Sequence, residues 1–282
     1  MSLNLEKLNH NRALIIGAYG SIGKRHYNIL RKLLPTSVVI DKIDINAILT
    51  IEQAKRNYYD IVAICTPNKT HIDIAKEFLY NAELIFIEKP LDSNLDKIKK
   101  SLPLFKGKNV HVACNIRYTD AFKRVKAIAD DVLMAHVVCT SYLPYWHPES
   151  DHLESYSAQH KLGGGVLLDV IHEPDYVAAA FGLPDSAAVF NKRVGSNITK
   201  DTEDTCAMLW SYPDKAVTFN LSYCNKNFTR YIDLILKSGE SERFDFNLSD
   251  ILPRYRDQWI DIINNGTQNT YEDAYNLYKM LL

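Results

Sequence analysis

The chain has 282 residues, a formal net charge of -1, and 46% hydrophobic and 24% charged residues. This balance is ordinary for a globular protein and argues against nucleic acid or an anionic membrane surface as a partner. No apolar run reaches the roughly 18–20 residues that span a bilayer, and the polar N-terminus lacks the apolar core of a signal peptide. The five cysteines are widely spaced without a Cys-x-x-Cys pair, and several lie in apolar runs, so we predict buried, reduced thiols and a cytoplasmic location.

The first part of the chain alternates short apolar strands with helices. Apolar runs predict strands at 12–17, 37–41, 61–65, 84–88 and 109–114. Helical spacing predicts helices at 21–34, 51–57, 70–82 and 92–102. Such alternation is typical of a doubly wound parallel sheet, so we predict an α/β domain over residues 1–118.

After Tyr118 the pattern changes to longer, alternating and aromatic-rich segments. They predict an open, mostly antiparallel sheet with strands at 132–142, 187–195, 205–212, 215–223 and 230–237. Helices are predicted at 119–130, 165–181 and 252–282, and a long polar loop at 143–162. We therefore predict a second, α+β domain over 119–282 that includes the C-terminal helix. No flexible linker separates the two domains, which favours a cleft between them.

A glycine-rich turn follows the first predicted strand and opens the first predicted helix. The segment contains Gly17, Tyr19, Gly20, Ser21, Ile22 and Gly23, with the spacing G-x-x-G-x-x-G. Glycines allow a tight turn and a close approach to a pyrophosphate, and the helix N-terminus supplies N–H groups. The context therefore predicts a dinucleotide site, although glycines at such a turn can also be purely structural.

An acid ends the predicted second strand. Asp41 lies 18 residues beyond Gly23, where a carboxylate can accept from a ribose 2′-hydroxyl and repel a 2′-phosphate. This position favours NAD over NADP. Lys42 follows directly and partly offsets that preference, so NADP stays open.

Five motifs in order resemble the glucose–fructose oxidoreductase / inositol dehydrogenase / MocA (Gfo/Idh/MocA) family. They are GSIGKRH at 20–26, CTPNKTH at 65–71, EKP at 88–90, ACNIRY at 113–118 and GGGVLLDVIHEPDY at 163–176. The resemblance implies an N-terminal Rossmann domain, a C-terminal domain with an open sheet, and NAD(P)-dependent chemistry on a sugar, sugar nucleotide or polyol. It also implies a homodimer or homotetramer built through the C-terminal sheet.

The resemblance assigns cofactor contacts along the edge of the parallel sheet to Thr66, Pro67, Asn68, His71, Glu88 and Lys89. For the segment after the third strand a capped helix start, with Asn68 or Thr70 as the cap, is the structural alternative. The resemblance implies a kinked Lys89–Pro90 bond, with the cis form open. It gives Lys89 an active-site role, orienting the substrate and taking part in proton transfer.

The apolar helical run after the triple glycine at 163–165 contains Asp169, His172 and Asp175. Asp169 and His172 are three residues apart, so one helix face can carry both. A histidine suits removal of a hydroxyl proton during hydride transfer. By resemblance His172 is the acid/base and Asp169 its substrate-orienting partner, although the spacing between them is one residue shorter than in many relatives. We interpret Asp175 as structural or as a contact between the domains.

Further candidates for substrate binding are Asn115, Arg117, Trp146 and Tyr156. Arg117 suits a substrate oxygen or a carboxylate, and a salt bridge joining the domains is the alternative. Aromatic faces such as that of Trp146 can stack on sugar rings. His147, His152 and His160 match no tight metal-ligand spacing, so we predict no metal.

These observations favour an NAD(P)-dependent dehydrogenase acting on CH–OH groups. Two alternatives stay open. One is a non-catalytic NAD(P)-binding sensor or regulatory protein on the same scaffold. The other is a reductase of a cyclic imine or amino-acid precursor, because the G-x-x-G-x-x-G spacing also occurs there.

Overall fold

The structure is a computed structural model that describes residues 8–43, 50–146, 148–195, 197–246, 251–266 and 269–282. The chain divides into two compact units. The first comprises Met1–Asn115 and Asp250–Asn276, and the second Ile116–Ser249 and Leu277–Leu282. The predicted fold class, a Rossmann-like parallel sheet plus a second, mostly antiparallel sheet, is confirmed.

The first unit is built on a five-stranded parallel sheet in the order β2-β1-β3-β4-β5. Its strands are β1 (Arg12–Ile16), β2 (Val39–Ile43), β3 (Tyr59–Ile64), β4 (Ala82–Ile87) and β5 (Val110–Val112). Its helices are α1 (Ser21–Leu33), α2 (Ile51–Ala54), α3 (Asn68–Glu77), α4 (Leu95–Phe105) and α8 (Ile251–Asn265), with the start of α9 (Tyr271–Leu281).

Both faces of this sheet are covered, as its apolar strands require. All six residues of β3 are buried. Alternate residues of the central strands, such as Ile15, Ile61 and Phe86, share one core with Leu30 of α1 and Trp259 of α8. The strands and helices that carry the glycine-rich turn are therefore held by a continuous apolar core.

The C-terminal helices depart from the predicted domain boundaries. We predicted that 252–282 would belong to the second domain, but α8 lies in the first unit. The reason is packing: the indole of Trp259 in α8 lies against the imidazole of His26 in α1, with ring centroids 5.6 Å apart. The predicted single helix is also interrupted between Asn265 and Tyr271.

The second unit is built on a six-stranded sheet in the order β11-β10-β6-β9-β8-β7. Its strands are β6 (Val132–Tyr142), β7 (Ser186–Lys192), β8 (Thr205–Ser211), β9 (Ala216–Ser222), β10 (Cys224–Leu236) and β11 (Ser241–Asp245). Its helices are α5 (Asp120–Ala127), α6 (Val166–Asp169) and α7 (His172–Phe181). The pairing of β6 with β9 is parallel and the other pairings are antiparallel.

Two local features of this unit differ from the sequence predictions. The predicted helix at 165–181 is split, because Val170 leaves helical geometry at φ -102° and ψ 31°. Short 3-10 turns occupy part of the predicted loop at 143–162. The split places Asp169 at the end of α6 and His172 at the start of α7.

Within the described part of the chain, no helix combines the length and apolar character needed to cross a membrane.

Candidate functional site

The carboxyl ends of parallel strands meet at one edge of the sheet, and that edge is where open α/β sheets bind ligands. In the first unit β1 leads into Gly17, β3 into Cys65 and Thr66, and β4 into Glu88 and Lys89. Most of the predicted cofactor residues therefore share this edge.

Two glycines of the turn are required by the fold itself. Gly17 has φ +83°, and a Cβ there would lie 2.5 Å from the Cys65 carbonyl oxygen. A Cβ on Gly23 would lie 2.1 Å from the Gly17 carbonyl oxygen, so this glycine lets α1 pack closely on the turn. Gly20 differs, because a Cβ there would make only an ordinary 3.5 Å contact. Its small size is not needed for packing and leaves room beside the turn for a ligand.

The start of α1 fits the pyrophosphate of a dinucleotide. Gly20 is the N-cap and brings no side-chain cap, so no side chain competes for the N–H groups of Ser21, Ile22 and Gly23. No acidic residue lies in the first turn of α1. Tyr19 is 49% exposed beside this turn.

The second strand does not end where we predicted. β2 continues through Lys42 to Ile43, and Asp41 pairs with Leu14 inside the sheet. Its carboxylate accepts from Arg12 Nε at 2.6 Å. The predicted ribose contact by Asp41 is therefore not supported, because the side chain lies two residues before the strand end and already holds an arginine. The acid that directly follows β2 in the sequence is Asp44, which lies outside the described residues.

Lys42 lies beside the same turn, near two tyrosine rings. Its ammonium lies 5.6 Å from the ring centroid of Tyr19 and 4.6 Å from that of Tyr27. Both distances suit cation–π contacts. The rings therefore hold this cation close to the predicted pyrophosphate turn.

The turn after β3 also starts a helix without a side-chain cap. Helix α3 begins at Asn68, and its N-cap is Pro67, which makes no side-chain hydrogen bond to the helix. The alternative that Asn68 or Thr70 caps this helix is therefore wrong. The Thr70 hydroxyl instead donates to the Pro67 carbonyl oxygen, 2.7 Å away, and lies 2.8 Å from the Thr66 hydroxyl. This bonding fixes the Thr66–Asn68 turn.

His71 joins two loops of the edge. Its Nε2 lies 2.7 Å from the Thr66 carbonyl oxygen, and its Nδ1 lies 3.0 Å from the Pro90 carbonyl oxygen. The ring is buried. Burial lowers the pKa of His71, although the two carbonyl groups oppose that shift. His71 therefore supports the loops that carry the predicted cofactor residues, through their backbone.

Lys89 stands just beyond β4, and its peptide bond to Pro90 is cis. Its backbone N–H donates to Glu88 Oε2 at 3.0 Å, and the side chain is partly buried. Glu88 is itself buried and lies 2.8 Å from His26 Nε2 through its other oxygen. One oxygen of the Glu88 carboxylate contacts His26, and the other accepts from the Lys89 N–H. His26 thus holds the carboxylate that fixes the backbone of Lys89.

The direction of the hydrogen bonds that link Trp259, His26 and Glu88 follows from the Trp259 indole. The indole N–H of Trp259 can only donate, and it lies 2.9 Å from His26 Nδ1. His26 Nδ1 is therefore the acceptor, and Nε2 carries the proton that is donated to Glu88. Burial alone would raise the pKa of Glu88, but the hydrogen bond from His26 and the positive charge of Lys89 outweigh it and lower that pKa. Glu88 is ionised at neutral pH.

In the second unit, Asp169 is buried and hydrogen-bonded to a residue that the sequence analysis did not select. The hydroxyl of Tyr223 donates to Asp169 Oδ2 at 2.5 Å. The ring of Tyr223 packs edge-on against Trp146, with centroids 5.3 Å apart and an interplanar angle of 84°. Asp169 and Trp146, which we predicted separately, are therefore brought together by Tyr223.

Glu203 is a second residue that the sequence analysis missed. Its Oε1 accepts from the backbone N–H of Leu167 at 3.3 Å, in the first turn of α6. A Cβ on Gly165, at φ +121°, would lie 2.2 Å from this carboxylate. Burial, aided by the charge of Asp169, raises the pKa of Glu203. The glycine run therefore makes room for an acid that supports α6.

The other predicted residues of this unit have varied surroundings. His172 is buried at the start of α7, and Tyr156 is 42% exposed. Asn115, which belongs to the first unit and ends its N-terminal segment, is buried. Arg117 donates to Asp175 through Nε at 2.9 Å and through NH2 at 2.7 Å. Because this ion pair lies within one unit, the structure favours a structural role for Arg117 over the predicted substrate contact.

The described residues contain no group of three or more His, Cys, Asp or Glu side chains placed to hold a metal ion. His147 lies outside the described residues. Of the cysteines, Cys114, Cys139 and Cys206 are buried, and Cys224 is exposed, contrary to the prediction of buried thiols.

Comparison with known proteins gives a family for the first unit. The sequence model of GFO_IDH_MocA, described as "Oxidoreductase family, NAD-binding Rossmann fold", matches residues 38–116. This match covers less than half of the 282 residues; over that segment it agrees with the resemblance and with NAD as the cofactor of a Rossmann domain.

Among curated proteins, the inositol 2-dehydrogenase of Rhizobium meliloti (strain 1021) is 30% identical over 129 residues, which cover 44% of this chain and 37% of that protein. The uncharacterized oxidoreductase YrbE of Bacillus subtilis (strain 168) is 26% identical over 188 residues, which cover 60% of this chain and 53% of that protein. The matches therefore span about half of these relatives or less.

Solved structures share the fold over nearly the whole chain. A myo-inositol dehydrogenase from Corynebacterium glutamicum ATCC 13032 superposes with a TM-score of 0.77 at 14% identity, covering 99% of this chain and 94% of that chain. At this level of identity the likeness shows the fold alone.

Proposed function

We propose that this chain, in which residues 38–116 match the NAD-binding Rossmann fold of GFO_IDH_MocA oxidoreductases, is a dehydrogenase that acts on a CH–OH carbon of a sugar, sugar nucleotide or polyol. The observation that carries this proposal is the position of Lys89. It follows β4 at the same sheet edge as the glycine-rich turn, and its backbone is fixed by Glu88. The names of the relatives, inositol 2-dehydrogenase and myo-inositol dehydrogenase, support a polyol as the substrate class.

NAD, when bound, supplies the nicotinamide carbon that accepts or donates the hydride. The first turn of α1, at Ser21 to Gly23, would hold the pyrophosphate through its backbone N–H groups. The turn Thr66–Asn68 and the residues Glu88 and Lys89 would hold the nicotinamide side of the cofactor. These residues hold and orient the cofactor, and none of them is itself oxidised or reduced.

The proton that leaves the substrate hydroxyl during hydride transfer must be taken up by side chains of this protein. The Lys89 ammonium orients the substrate hydroxyl and lowers the energy of the alkoxide that forms as the proton leaves. His172 accepts that proton as general base, and returns it when the reaction runs backwards. Asp169 accepts from a neighbouring substrate hydroxyl and orients the ring. The exposed indole of Trp146 contacts the C–H face of that ring.

A direct assay tests the proposal. The purified protein is mixed with NAD or NADP and a panel of cyclic polyols and sugars, and the absorbance of the reduced cofactor is followed. We expect turnover with NAD. Lys89→Met should lower kcat at least about 100-fold, as expected for loss of a group that stabilises the developing alkoxide charge. The matched control, Lys99→Met, changes an exposed lysine of α4 and should keep full activity.

Two results would contradict the proposal. Full turnover by Lys89→Met would remove the assigned mechanism. Cofactor binding without turnover on any polyol would favour a sensor or regulatory protein, a function that no contact described above specifically favours.

We also propose that the protein is a homodimer or homotetramer formed through the open sheet of the second unit. The strand register puts Phe190, Leu209, Met134 and Ile235 on one face, and all four are exposed. Exposed apolar side chains spread over one sheet face favour an interface. Analytical ultracentrifugation tests this, and a monomer at micromolar concentration would contradict it. The cytoplasmic location stays a prediction.

A further inference from the structure

We propose that Tyr223 is the positioning residue of the substrate site in the second unit, holding the carboxylate of Asp169 with its hydroxyl and the indole of Trp146 with its ring. This inference rests on the proposed function. It goes beyond that function because it names a residue that neither acts on the hydride nor exchanges the substrate proton, yet sets the geometry of two groups that contact the substrate.

The hydroxyl contact is short and buried. Tyr223 Oη lies 2.5 Å from Asp169 Oδ2, and the relative exposures of the two residues are 0% and 5%. An ionised carboxylate only accepts hydrogen bonds, so the phenol is the donor. Hydrogen bonds to a charged group are stronger than neutral ones, and a buried carboxylate depends on them.

The phenol stays protonated in the working pH range. Burial, together with the negative charge of Asp169, raises the pKa of Tyr223 well above its ordinary value. A contribution from the Ser157 side chain acts in the opposite direction but does not reverse this rise in the pKa. The hydroxyl therefore keeps its proton for the hydrogen bond to Asp169.

The ring of Tyr223 sets the second contact. It meets the indole of Trp146 edge-on, an arrangement that aromatic quadrupoles favour. Trp146 stays 38% exposed, so part of its surface is left for a ligand. A carboxylate and an aromatic face held by one side chain suit a cyclic polyol or pyranose, which offers hydroxyl groups and a C–H face on the same ring.

The backbone of Tyr223 is held by two other segments. Its N–H donates to the Asp204 carbonyl oxygen at 2.8 Å, and its carbonyl oxygen accepts from the Leu143 N–H at 3.2 Å. The residue sits between β9 and β10, where the chain passes from one strand directly to the next. The positioning side chain is therefore on a rigid part of the sheet rather than on a mobile loop.

Other titratable groups near Tyr223 and Asp169 also influence how kcat/KM depends on pH. Glu203 and Asp169 interact unfavourably through their charges, and His160 acts on Glu203 in the opposite direction. His172 follows Asp169 by three residues. A comparison of variants in which all of these groups are unchanged separates the effect of Tyr223 from theirs.

The chain offers a matched pair of variants. Tyr223→Phe removes only the hydroxyl and keeps the ring. Tyr176→Phe makes the same change at another fully buried tyrosine of this unit, whose hydroxyl has no hydrogen-bond partner among the described residues. The readouts are kcat/KM from pH 5 to 9, the NAD dissociation constant, and calorimetric binding of myo-inositol in the presence of NADH.

We expect Tyr223→Phe to lower kcat/KM about 10- to 100-fold, the range for a lost hydrogen bond to a charged group. The acid limb of its pH profile should move to higher pH, because a buried carboxylate that loses a donor takes up a proton more readily. NAD binding should not change. Tyr176→Phe should match the wild type within about twofold in every readout. Tyr223→Leu, which also removes the ring, should weaken myo-inositol binding a further few-fold.

Each outcome decides a different point. If the wild type turns over a polyol and Tyr223→Phe behaves like Tyr176→Phe, the inference is wrong while the proposed function stands. If the wild type neither turns over nor binds any polyol, the proposed function is wrong and the inference goes with it. Should Tyr223→Phe fail to fold by circular dichroism while Tyr176→Phe folds, Tyr223 serves the fold rather than the substrate site, and the inference is wrong.

Discussion

Trp259 donates its indole N–H to Nδ1 of His26 across 2.9 Å, although 233 positions separate the two residues in the sequence. Because an indole N–H only donates, Nδ1 of His26 accepts this bond, and its other ring nitrogen, Nε2, donates to Glu88. A side chain in α8 thus determines the tautomer of a side chain in α1, and through Glu88 the surroundings of Lys89.

The first prediction concerns the buried hydrogen bond from Trp259 to His26. Trp259→Phe keeps most of the ring volume but leaves His26 Nδ1 without its donor, which should cost about 1–3 kcal/mol of the free energy of unfolding. The control is Trp210→Phe, because Trp210 is also fully buried and its indole N–H has no partner among the described residues. Urea unfolding measures both. Equal losses in the two variants would show that the hydrogen bond contributes nothing.

The second prediction is a pH dependence that comes from His71. Burial lowers the pKa of His71 from its ordinary value of 6.5. The unfolded chain therefore binds a proton that the folded chain does not as the pH falls below about 6.5, and stability that is fully present above that pH is lost below it. His71→Gln should remove this loss.

The measurement for His71 is the urea midpoint at pH 7.5 and at pH 5.5. The wild type should lose more between the two values than His71→Gln does. The same substitution at His136, which is exposed on β6, should leave the pH dependence of the wild type unchanged. A wild type and a His71→Gln variant with parallel pH curves would exclude this account.

Features that depend on neighbours in the sequence were predicted well. Strand β6 has the predicted bounds, because its mostly apolar run, VLMAHVVCTSY, is a strong local pattern. The turn from Gly17 to Gly23 and the end of β4 at Ile87, just before Glu88 and Lys89, also follow from local pattern, since glycine and apolar runs mark strand ends.

Features that depend on distant pairing were missed. The run VVID reads as a strand that ends at its acid, but pairing with β1 carries β2 on to Ile43. Strand β11 was not predicted, because only Phe244 of its five residues is buried and the pattern is correspondingly weak. Tyr223 and Glu203 gave no sequence signal, because their importance comes from contacts 54 and 36 positions away.

The third prediction separates the two kinds of glycine in the turn. Gly23→Ala places a methyl group 2.1 Å from the Gly17 carbonyl oxygen, a backbone atom that cannot move aside without shifting the turn. Overpacking of this kind should cost about 1–3 kcal/mol or more of unfolding free energy.

Gly20→Ala is the matched variant. Its backbone is at φ -66°, which alanine adopts freely, and the added methyl group makes only a 3.5 Å contact. Stability should change by less than about 0.5 kcal/mol, while NAD binding measured by calorimetry should weaken. A stable Gly23→Ala, or a Gly20→Ala that binds NAD as tightly as the wild type, would contradict the assignment.

The fourth prediction tests whether Arg117 serves the fold or the substrate. Its two-point ion pair with Asp175 is largely buried, with side-chain exposures of 13% and 5%. Removing one partner leaves a buried charge, so Arg117→Met should lower the free energy of unfolding by about 3 kcal/mol. Arg117→Met combined with Asp175→Leu should recover part of this loss, because no unpaired charge remains. In the fraction that stays folded, the KM for the polyol should match that of the wild type. A raised KM at unchanged stability would instead restore the substrate contact that the sequence predicted.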